Sequence, residues 1–135
     1  MDAVDTNVLV YAHDTRDPTK QAIAISTIES IDEGVLVWQV ACEYLAASRK
    51  LAPLGYNQSD AWRDVRDLMN IWSTLLPSMA VLDAAEGLLA QYSLAFWDAM
   101  IIGACVEGNI ARLYSEDFSG YSQIEGLDVV NPFKS

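Results

Sequence analysis

The hydrophobic positions of this chain fall into short apolar runs that alternate with longer stretches of helical spacing. Residues 3–11 are mostly large or β-branched apolar residues, interrupted only by the polar trio Asp5-Thr6-Asn7, which predicts a first buried strand. Residues 20–31 have apolar side chains at helical spacing, residues 35–38 form a second apolar run, and residues 39–51 again have a helical pattern. The chain is therefore predicted to begin with strand, helix, strand and helix.

Turn and capping residues divide the second half of the chain. Ser59 is a candidate N-cap for a helix that Pro77 ends, and Asp83 is a candidate N-cap for the next one. The predicted helices cover residues 59–76, 84–92 and 96–107, and the predicted strands cover residues 79–82, 112–115 and 128–130. Because strands and helices alternate without an internal repeat or linker, we predict an α/β fold: one three-layer α/β/α domain over residues 1–135, with a central parallel sheet.

The composition fits a chain that folds around its own core. Its 135 residues are 52% hydrophobic, which is enough apolar material for one buried core. No stretch approaches the roughly 18 uncharged apolar residues that a membrane span requires. The opening residues, Met1-Asp2-Ala3-Val4-Asp5, do not form a basic region followed by an apolar run. We therefore expect a soluble cytoplasmic protein.

The cysteines and the single histidine do not predict a zinc site. Cys42 and Cys105 both have apolar neighbours, so we expect two reduced thiols in the core. His13 lies beside a polar turn and is expected at the surface. A zinc site would need partners at ligand spacing, which the sequence does not offer.

The net charge of −11, from 19 acidic and 8 basic residues, is large for this length. Taken alone it argues against nucleic-acid binding, because phosphates attract basic surfaces. Acidic residues gathered at one site can nevertheless bind divalent cations, which reverse the local field. An acidic surface can also serve a basic protein partner, or only solubility.

Four acidic residues stand near predicted strand ends or helix starts: Asp5, Glu43, Asp98 and Asp117. In an open parallel sheet the ligand site lies beyond the carboxyl ends of the strands, so folding is expected to bring such side chains together. Crowded carboxylates repel one another unless a divalent cation neutralises them, and their hard oxygen atoms favour Mg²⁺ or Mn²⁺. From the residues alone, the alternative is that these acids are helix caps, turn residues and surface charge.

The residues around these acids resemble, in order, the four acidic motifs of the PIN-domain family. The motifs are Asp5-Thr6-Asn7-Val8-Leu9, Val40-Ala41-Cys42-Glu43-Tyr44-Leu45, Phe96-Trp97-Asp98-Ala99-Met100-Ile101 and Tyr114-Ser115-Glu116-Asp117-Phe118. The closing Gly126-Leu127-Asp128-Val129-Val130-Asn131-Pro132-Phe133 is similar to the ending of many VapC-type members, the toxin ribonucleases of toxin–antitoxin pairs. Each motif alone is short, but four in order span nearly the whole chain.

The resemblance implies a PIN-like fold, a Mg²⁺ or Mn²⁺ cofactor, hydrolysis of RNA phosphodiester bonds, a cognate antitoxin and frequently a homodimer. It identifies the metal ligands and catalytic residues as Asp5, Glu43, Asp98 and Asp117. Thr6, Asn7 and Ser115 are expected to orient the carboxylates through hydrogen bonds. Glu116 is a further candidate, but adjacent residues of an extended segment point opposite ways, so only one of Glu116 and Asp117 is expected to face the metal.

Ala95 departs from the pattern of this family. Members often carry Ser at this position, and Ser three residues before Asp98 would form a capping box. Ala95 cannot accept that hydrogen bond, so either Ser93 caps the helix from further out or the helix start is looser here. Ser115 stands where Thr is commoner and keeps the hydroxyl group.

Two other functions stay open on the sequence alone. The first is a catalytically silent PIN-like module that binds a structural cation or serves regulation. The second is an α/β phosphatase or a response-regulator-like domain, which usually needs a Lys on a later strand, whereas this chain has no Lys between Lys50 and Lys134. The candidate contacts to RNA phosphates are Arg16, Lys20, Arg49, Lys50 and Arg112.

The segment 59–76 is unusually rich in large apolar residues: Trp62, Leu68, Met69, Ile71, Trp72, Leu75 and Leu76. Either the core absorbs all of them, or part of this surface packs against a second copy or an antitoxin helix. The acidic net charge favours a basic partner segment.

Overall fold

The computed structural model describes residues 1–118 and 120–134, and a six-stranded sheet is its central element. The strands are β1 (Asp2–Val4), β2 (Gly34–Val37), β3 (Ser73–Leu75), β4 (Arg112–Tyr114), β5 (Gln123–Ile124) and β6 (Leu127–Val130). They lie in the order β3-β2-β1-β4-β6-β5. All neighbours pair in parallel except β5 and β6, which form an antiparallel hairpin at the edge.

Helices connect the parallel strands. They are α1 (Thr6–Tyr11), α2 (Pro18–Glu29), α3 (Trp38–Ala47), α4 (Gln58–Ile71), α5 (Met79–Gln91) and α6 (Phe96–Glu107), with a 3₁₀ helix at Ser48–Leu54. All four residues of β2 are buried, which requires cover on both faces of the sheet. The predicted α/β class with a mostly parallel central sheet is therefore confirmed.

The hydrophobic core lies between the central strands and the apolar helix faces. Its largest fully buried side chains include Leu36, Leu51, Ile101, Ile102, Leu113, Ile124 and Leu127. Helix α6 is buried along one continuous stretch, from Ile101 to Cys105, and this burial fixes the position of its first turn. No single helix in the described residues is long and apolar enough to cross a membrane; only α5 and α6 taken together, bent by 120° at their break, have the length and composition.

The predicted first strand over residues 3–11 is wrong beyond Val4. The chain leaves β1 at Asp5, whose carboxylate accepts a hydrogen bond from Thr6 N at 2.7 Å, and α1 begins there. Val8, Leu9 and Val10 are all buried in α1. Three consecutive buried apolar residues in a short helix have the same composition as a buried strand, so the apolar pattern alone does not separate the two.

The region after α4 also differs from the prediction. The helix starts at the capping box of Asn57 and Asp60 rather than at Ser59, and it ends at Ile71. Residues 73–75 form the unpredicted strand β3, whereas residues 79–82 begin α5, with Ser78 as its N-cap, and Asp83 lies inside that helix. A three-residue edge strand has too short an apolar run to show a period of two.

One environment inferred from local sequence is wrong. Cys105 is buried as expected, but Cys42 is exposed, because the inward face of α3 is formed by Val40, Ala41 and Tyr44. The difference does not follow from the nearest neighbours in sequence, since it depends on which helix face meets the core. His13 is 35% exposed, in line with a surface position, and its ring stacks on the Tyr56 ring at 4.2 Å between centroids.

We predict that Gly34→Ala destabilises the fold. A methyl group at Gly34 would overlap the indole of Trp72, which packs against the start of β2, and such overpacking costs about 1–3 kcal/mol. Gly87 lies in α5 with open space around it, so the control Gly87→Ala should instead stabilise the protein by about 0.5–1 kcal/mol. Urea unfolding of both variants provides the measurement, and equal free energies of unfolding would contradict the close Gly34–Trp72 contact.

Candidate functional site

The candidate site forms where two adjacent parallel strands end. Strands β1 and β4 pair with Val4 opposite Tyr114, so the residues that follow them emerge side by side. Asp5 follows β1 directly, and its backbone N–H donates to the Tyr114 carbonyl at 2.8 Å. Ser115 follows β4 and is held by a hydrogen bond from its N–H to the Val130 carbonyl at 2.9 Å. The sheet thus fixes two of the predicted site segments next to each other.

Neutral polar side chains join the acids of these two segments. Ser115 Oγ donates to Asp5 Oδ2 at 2.7 Å and accepts a hydrogen bond from Asp117 N at 3.0 Å. Asn7 Nδ2 lies 3.3 Å from both Ser115 Oγ and Asp117 Oδ2, and Asn7 Oδ1 accepts from Glu116 N at 3.3 Å. Asn7 and Ser115 therefore link Asp5 to Asp117.

Glu43 and Asp98 reach the same place from two helices. Glu43 lies in α3, and its Oε2 accepts a hydrogen bond from Thr6 Oγ1 at 3.0 Å. Gln39 Nε2 donates both to Glu43 Oε1 and to the Trp97 carbonyl, each at 3.1 Å, and so connects α3 with α6. Asp98 lies in the first turn of α6. Gln39 was not among the site residues predicted from the sequence, although its position four residues before Glu43 places both on one helix face.

The start of α6 has no side-chain cap. Ala95 is the N-cap residue and accepts nothing through its side chain, while the Ser93 backbone N–H donates to the Tyr121 hydroxyl at 2.9 Å. Of the two alternatives that the sequence left open, capping by the Ser93 side chain is therefore not what the structure shows. The contact from Gln39 to the Trp97 carbonyl holds this turn instead.

The four acids border one cleft of about 310 Å³. Its lining comprises Asp5, Thr6, Asn7, Val10, Tyr11, Asp14, Glu43, Ala47, Lys50, Asp98, Glu116 and Asp117. Ser115 lies behind this surface and is fully buried. Asp14 is already neutralised, because Arg16 binds it with two hydrogen bonds of 2.9 Å and keeps its pKa below the usual range. Lys50 is the basic residue of this lining.

Burial and mutual repulsion perturb the acids of the cleft. Burial raises the pKa of Asp5 from 3.8 to about 6, against the opposing hydrogen bonds from Ser115 and Thr6, and the charges of Asp117 and Glu43 add to the rise. The pKa of Asp98 is also raised, first by burial and then by Asp117 and Glu43. Ionisation of Asp5 therefore costs more than ionisation of an ordinary aspartate, and a nearby positive charge would lower that cost.

The donor atoms of this cleft suit a hard divalent cation. Its acids present carboxylate oxygens, and no histidine or cysteine is among the lining residues. Within residues 1–118 and 120–134, no three acidic, histidine or cysteine side chains lie close enough to chelate one ion as they stand. The donor chemistry thus fits, but the carboxylates are spread around the cleft. Coordination requires rotation of the more exposed side chains toward Asp5.

Glu116 has partners other than those of Asp117. Its carboxylate accepts hydrogen bonds from the Tyr11 hydroxyl at 2.6 Å and from Lys20 Nζ at 2.9 Å.

Two of the basic residues predicted to contact RNA phosphates already form ion pairs, Arg16 with Asp14 and Lys20 with Glu116. Among the residues that the structure describes, Arg49 and Lys50 form no ion pair.

Comparison with known families finds one matching model. The model of the PIN domain matches residues 3–125, which includes all eight residues singled out around the cleft. A comparison with curated protein sequences finds no match.

Solved structures share this fold at low sequence identity. A chain of a toxin–antitoxin complex from Klebsiella pneumoniae has a TM-score of 0.74 at 18% identity, covering 98% of both chains. VapC20 of Mycobacterium tuberculosis, a toxin that cleaves the sarcin–ricin loop, has a TM-score of 0.71 at 15% identity, over 93% of this chain and 98% of that one. VapBC-1 from nontypeable Haemophilus influenzae has a TM-score of 0.65 at 18% identity, over 98% of both chains. At these identities the likeness shows the fold alone.

We predict that Asp5→Asn stabilises the metal-free protein at neutral pH. The folded pKa of Asp5, about 6, lies above its ordinary 3.8, so ionisation costs stability as the pH rises through this interval, and the cost is complete above about pH 6. In EDTA at pH 8 the free energy of unfolding of the variant should exceed that of the wild type by at most about 3 kcal/mol. This difference should shrink toward zero near pH 4. Thermal melts across this range measure it, with the exposed Asp83→Asn in α5 as the control. A difference that does not vary with pH would contradict the burial of a charged Asp5.

Proposed function

This chain belongs to the PIN domain family, and from that premise we propose that it is a divalent-metal-dependent endoribonuclease, the toxin of a toxin–antitoxin pair. The observation that carries the proposal is the meeting of Asp5, Glu43, Asp98 and Asp117 around one cleft at the carboxyl edge of the sheet. These residues come from four separate segments of the chain, so only a folded site explains their proximity. The toxin–antitoxin assignment is supported by the structures of toxins and toxin complexes that share the fold.

The four carboxylates are proposed to hold Mg²⁺ or Mn²⁺. When bound, such an ion supplies activation of a water molecule for attack on phosphorus and charge stabilisation at the leaving oxygen. Ser115 and Thr6 N–H fix both oxygens of Asp5, and Thr6 Oγ1 and Gln39 fix those of Glu43. These hydrogen bonds restrict the two carboxylates to one orientation each, as the residues that support metal ligands do.

Lys50 is the proposed contact for an RNA phosphate. It is exposed, lines the carboxylate cleft and belongs to the chain's small set of basic residues. Of the five candidates from the sequence, Arg16 and Lys20 are committed to acidic partners, and Arg112 is 4.0 Å from Asp2. Lys50 can therefore bind a phosphate without first breaking an ion pair.

A second cavity, of about 290 Å³, is the proposed antitoxin-binding groove. Its apolar lining includes Leu9, Ile28, Leu68 and Ile71, and Ile71 is 77% exposed. Asp64 and Asp67 stand at its border. An apolar groove with an acidic border suits an amphipathic helix that carries Lys or Arg beside its apolar face.

An uncharged apolar patch beside α6 is the proposed contact with a second copy. It surrounds a smaller cavity and includes the exposed side chains of Trp38, Leu76 and Trp97. None of the residues that line this cavity is ionisable. Two copies that each carry a charge of −11 repel one another, so contact through an uncharged patch costs less than contact through the acidic groove.

We predict that Asp5→Asn, Glu43→Gln, Asp98→Asn and Asp117→Asn each abolish Mn²⁺-dependent RNA cleavage. Loss of a ligand charge should lower the rate by more than the about 10- to 100-fold that loss of a supporting residue costs. The assay incubates the purified chain with total RNA, with and without EDTA, and Asp83→Asn provides an exposed acid outside the cleft as the control. If one of the four variants cleaves RNA at the wild-type rate, the residue changed in that variant is not a metal ligand.

The same assay tests the alternative of a catalytically silent PIN-like module. A wild-type chain that binds Mn²⁺ but leaves RNA intact, with no partner present, would support the silent module and contradict the nuclease. Cleavage in EDTA equal to that in Mn²⁺ would contradict metal dependence but not nuclease activity.

We predict that Ile71→Ser weakens binding of the product of a short adjacent reading frame by about tenfold, because truncating a central apolar contact typically costs more than 1 kcal/mol. The control is Leu89→Ser, which removes an apolar side chain from the exposed face of α5, outside the groove. Isothermal titration gives both affinities, and light scattering gives the mass of the complex. Equal affinities for the two variants would place the partner elsewhere.

A further inference from the structure

Glu116 lies next to the proposed ligand Asp117 and is bound by residues of two helices, α1 and α2. Its Oε1 accepts a hydrogen bond from the Tyr11 hydroxyl at 2.6 Å, at the end of α1, and its Oε2 accepts one from Lys20 Nζ at 2.9 Å, in α2. Lys20 Nζ also donates to the Tyr11 oxygen at 3.2 Å. These three residues are called the Tyr11–Lys20–Glu116 triad below. The triad ties the segment after β4 to α1 and α2.

Phe133, from the closing Asn131-Pro132-Phe133, packs against the triad. Its ring meets the Tyr11 ring edge-on, with centroids 5.0 Å apart. Lys20 Nζ lies 4.6 Å from the Tyr11 centroid and 5.6 Å from that of Phe133. Asn131 Oδ1 accepts a hydrogen bond from Phe133 N at 2.9 Å, which holds the turn. The aromatic and cation–π contacts thus keep Lys20 and Tyr11 in place beside Glu116.

The side chain of Asp117, by contrast, is only weakly held, whereas its backbone N–H donates to Ser115 Oγ at 3.0 Å. Strand β4 ends at Tyr114, and beyond the Ser115 hydrogen bond no strand pairing continues among the residues that the structure describes. Among the residues that the structure describes, the Asp117 side chain accepts one hydrogen bond, from Asn7 Nδ2 at 3.3 Å, which is long for such a bond. Phe118 then turns the chain with a φ of 66°. The charge-assisted contacts of Glu116, one residue earlier, are shorter and stronger.

We propose that the Tyr11–Lys20–Glu116 triad is a positioning device for Asp117. By holding Glu116 away from the other carboxylates, it fixes the backbone of this segment so that Asp117 faces the cleft, and Glu116 itself is not a metal ligand. Phe133 supports the device, which gives the closing Asn131-Pro132-Phe133 a role at the site. This inference rests on the proposed function, because it concerns the ion that the cleft is proposed to bind.

Removal of Lys20 should change the affinity of the cleft for a cation in opposite directions, depending on whether Lys20 positions Asp117 or acts only as a nearby charge. Lys20 is a positive charge near the cleft, so its loss by Coulomb's law alone should strengthen cation binding. Its loss also leaves Glu116 free to act as an additional ligand, which again strengthens binding. If Lys20 positions Asp117 through Glu116, its loss weakens cation binding instead.

The test measures the Mn²⁺ affinity of the full chain through the electron paramagnetic resonance of the free ion. We expect Lys20→Gln and Phe133→Ala each to weaken Mn²⁺ binding by about tenfold, as loss of a residue that orients a ligand typically does. Lys20→Arg, which keeps the charge and donors, should lie closer to the wild type. The matched control is Arg63→Gln, which removes the same charge from the ion pairs with Asp60 and Asp64 in α4 and should not weaken binding.

If Lys20→Gln binds Mn²⁺ as tightly as the wild type, or more tightly, the inference is overturned and the proposed function stays intact. If Lys20→Gln does not fold in EDTA melts, Tyr11→Phe decides, because it keeps the ring contacts and removes only the hydroxyl; unchanged Mn²⁺ affinity in that variant overturns the inference. A wild-type chain that binds no Mn²⁺ contradicts both the metal-dependent function and this inference.

Discussion

The crowding of carboxylates at one edge of the sheet is the constraint on which the rest of the site depends. Asp5 is almost fully buried, and its pKa is raised to about 6 although Ser115 and Thr6 both donate to it. A fold that only needed stability would place a neutral residue there, because an unpaired buried charge is costly. The cost is consistent with a site prepared for a cation, since perturbed acids in a cleft cluster at functional positions.

The surrounding structure keeps these acids apart from one another but oriented toward one cleft. Neutral donors such as Asn7, Ser115 and Thr6 bind the carboxylates without cancelling their charge. Of the acids that line the cleft, Asp14 and Glu116 are paired with basic residues, and neither is among the four proposed ligands. Asp14 and Glu116 thus differ from Asp5, Glu43 and Asp117, whose hydrogen-bond partners are neutral hydroxyl, amide and backbone N–H groups.

The distribution of charge also shapes the proposed partners. With a net charge of −11, the surface as a whole repels RNA, so the proposed binding of RNA would depend on the proposed cation of the cleft and on a few basic side chains such as Lys50. The same charge attracts a basic protein segment, and the apolar groove bordered by Asp64 and Asp67 offers such a segment both kinds of contact. The uncharged patch around Trp38 and Trp97 suits a different contact, in which two copies of this acidic chain approach each other.

The sequence by itself determined the fold class, most of the helices and the four acids that border the cleft, because alternating apolar patterns and four acidic motifs are local signals that survive without a structure. It did not determine where β1 ends, since the buried run Val8-Leu9-Val10 of α1 has the composition of a buried strand. It also did not determine the edge strand β3, which is too short to show a period of two. Only the tertiary structure decided which acids are paired with cations. The contacts of Glu116 with Tyr11 and Lys20 join residues about a hundred positions apart, and no local pattern encodes a contact of that range.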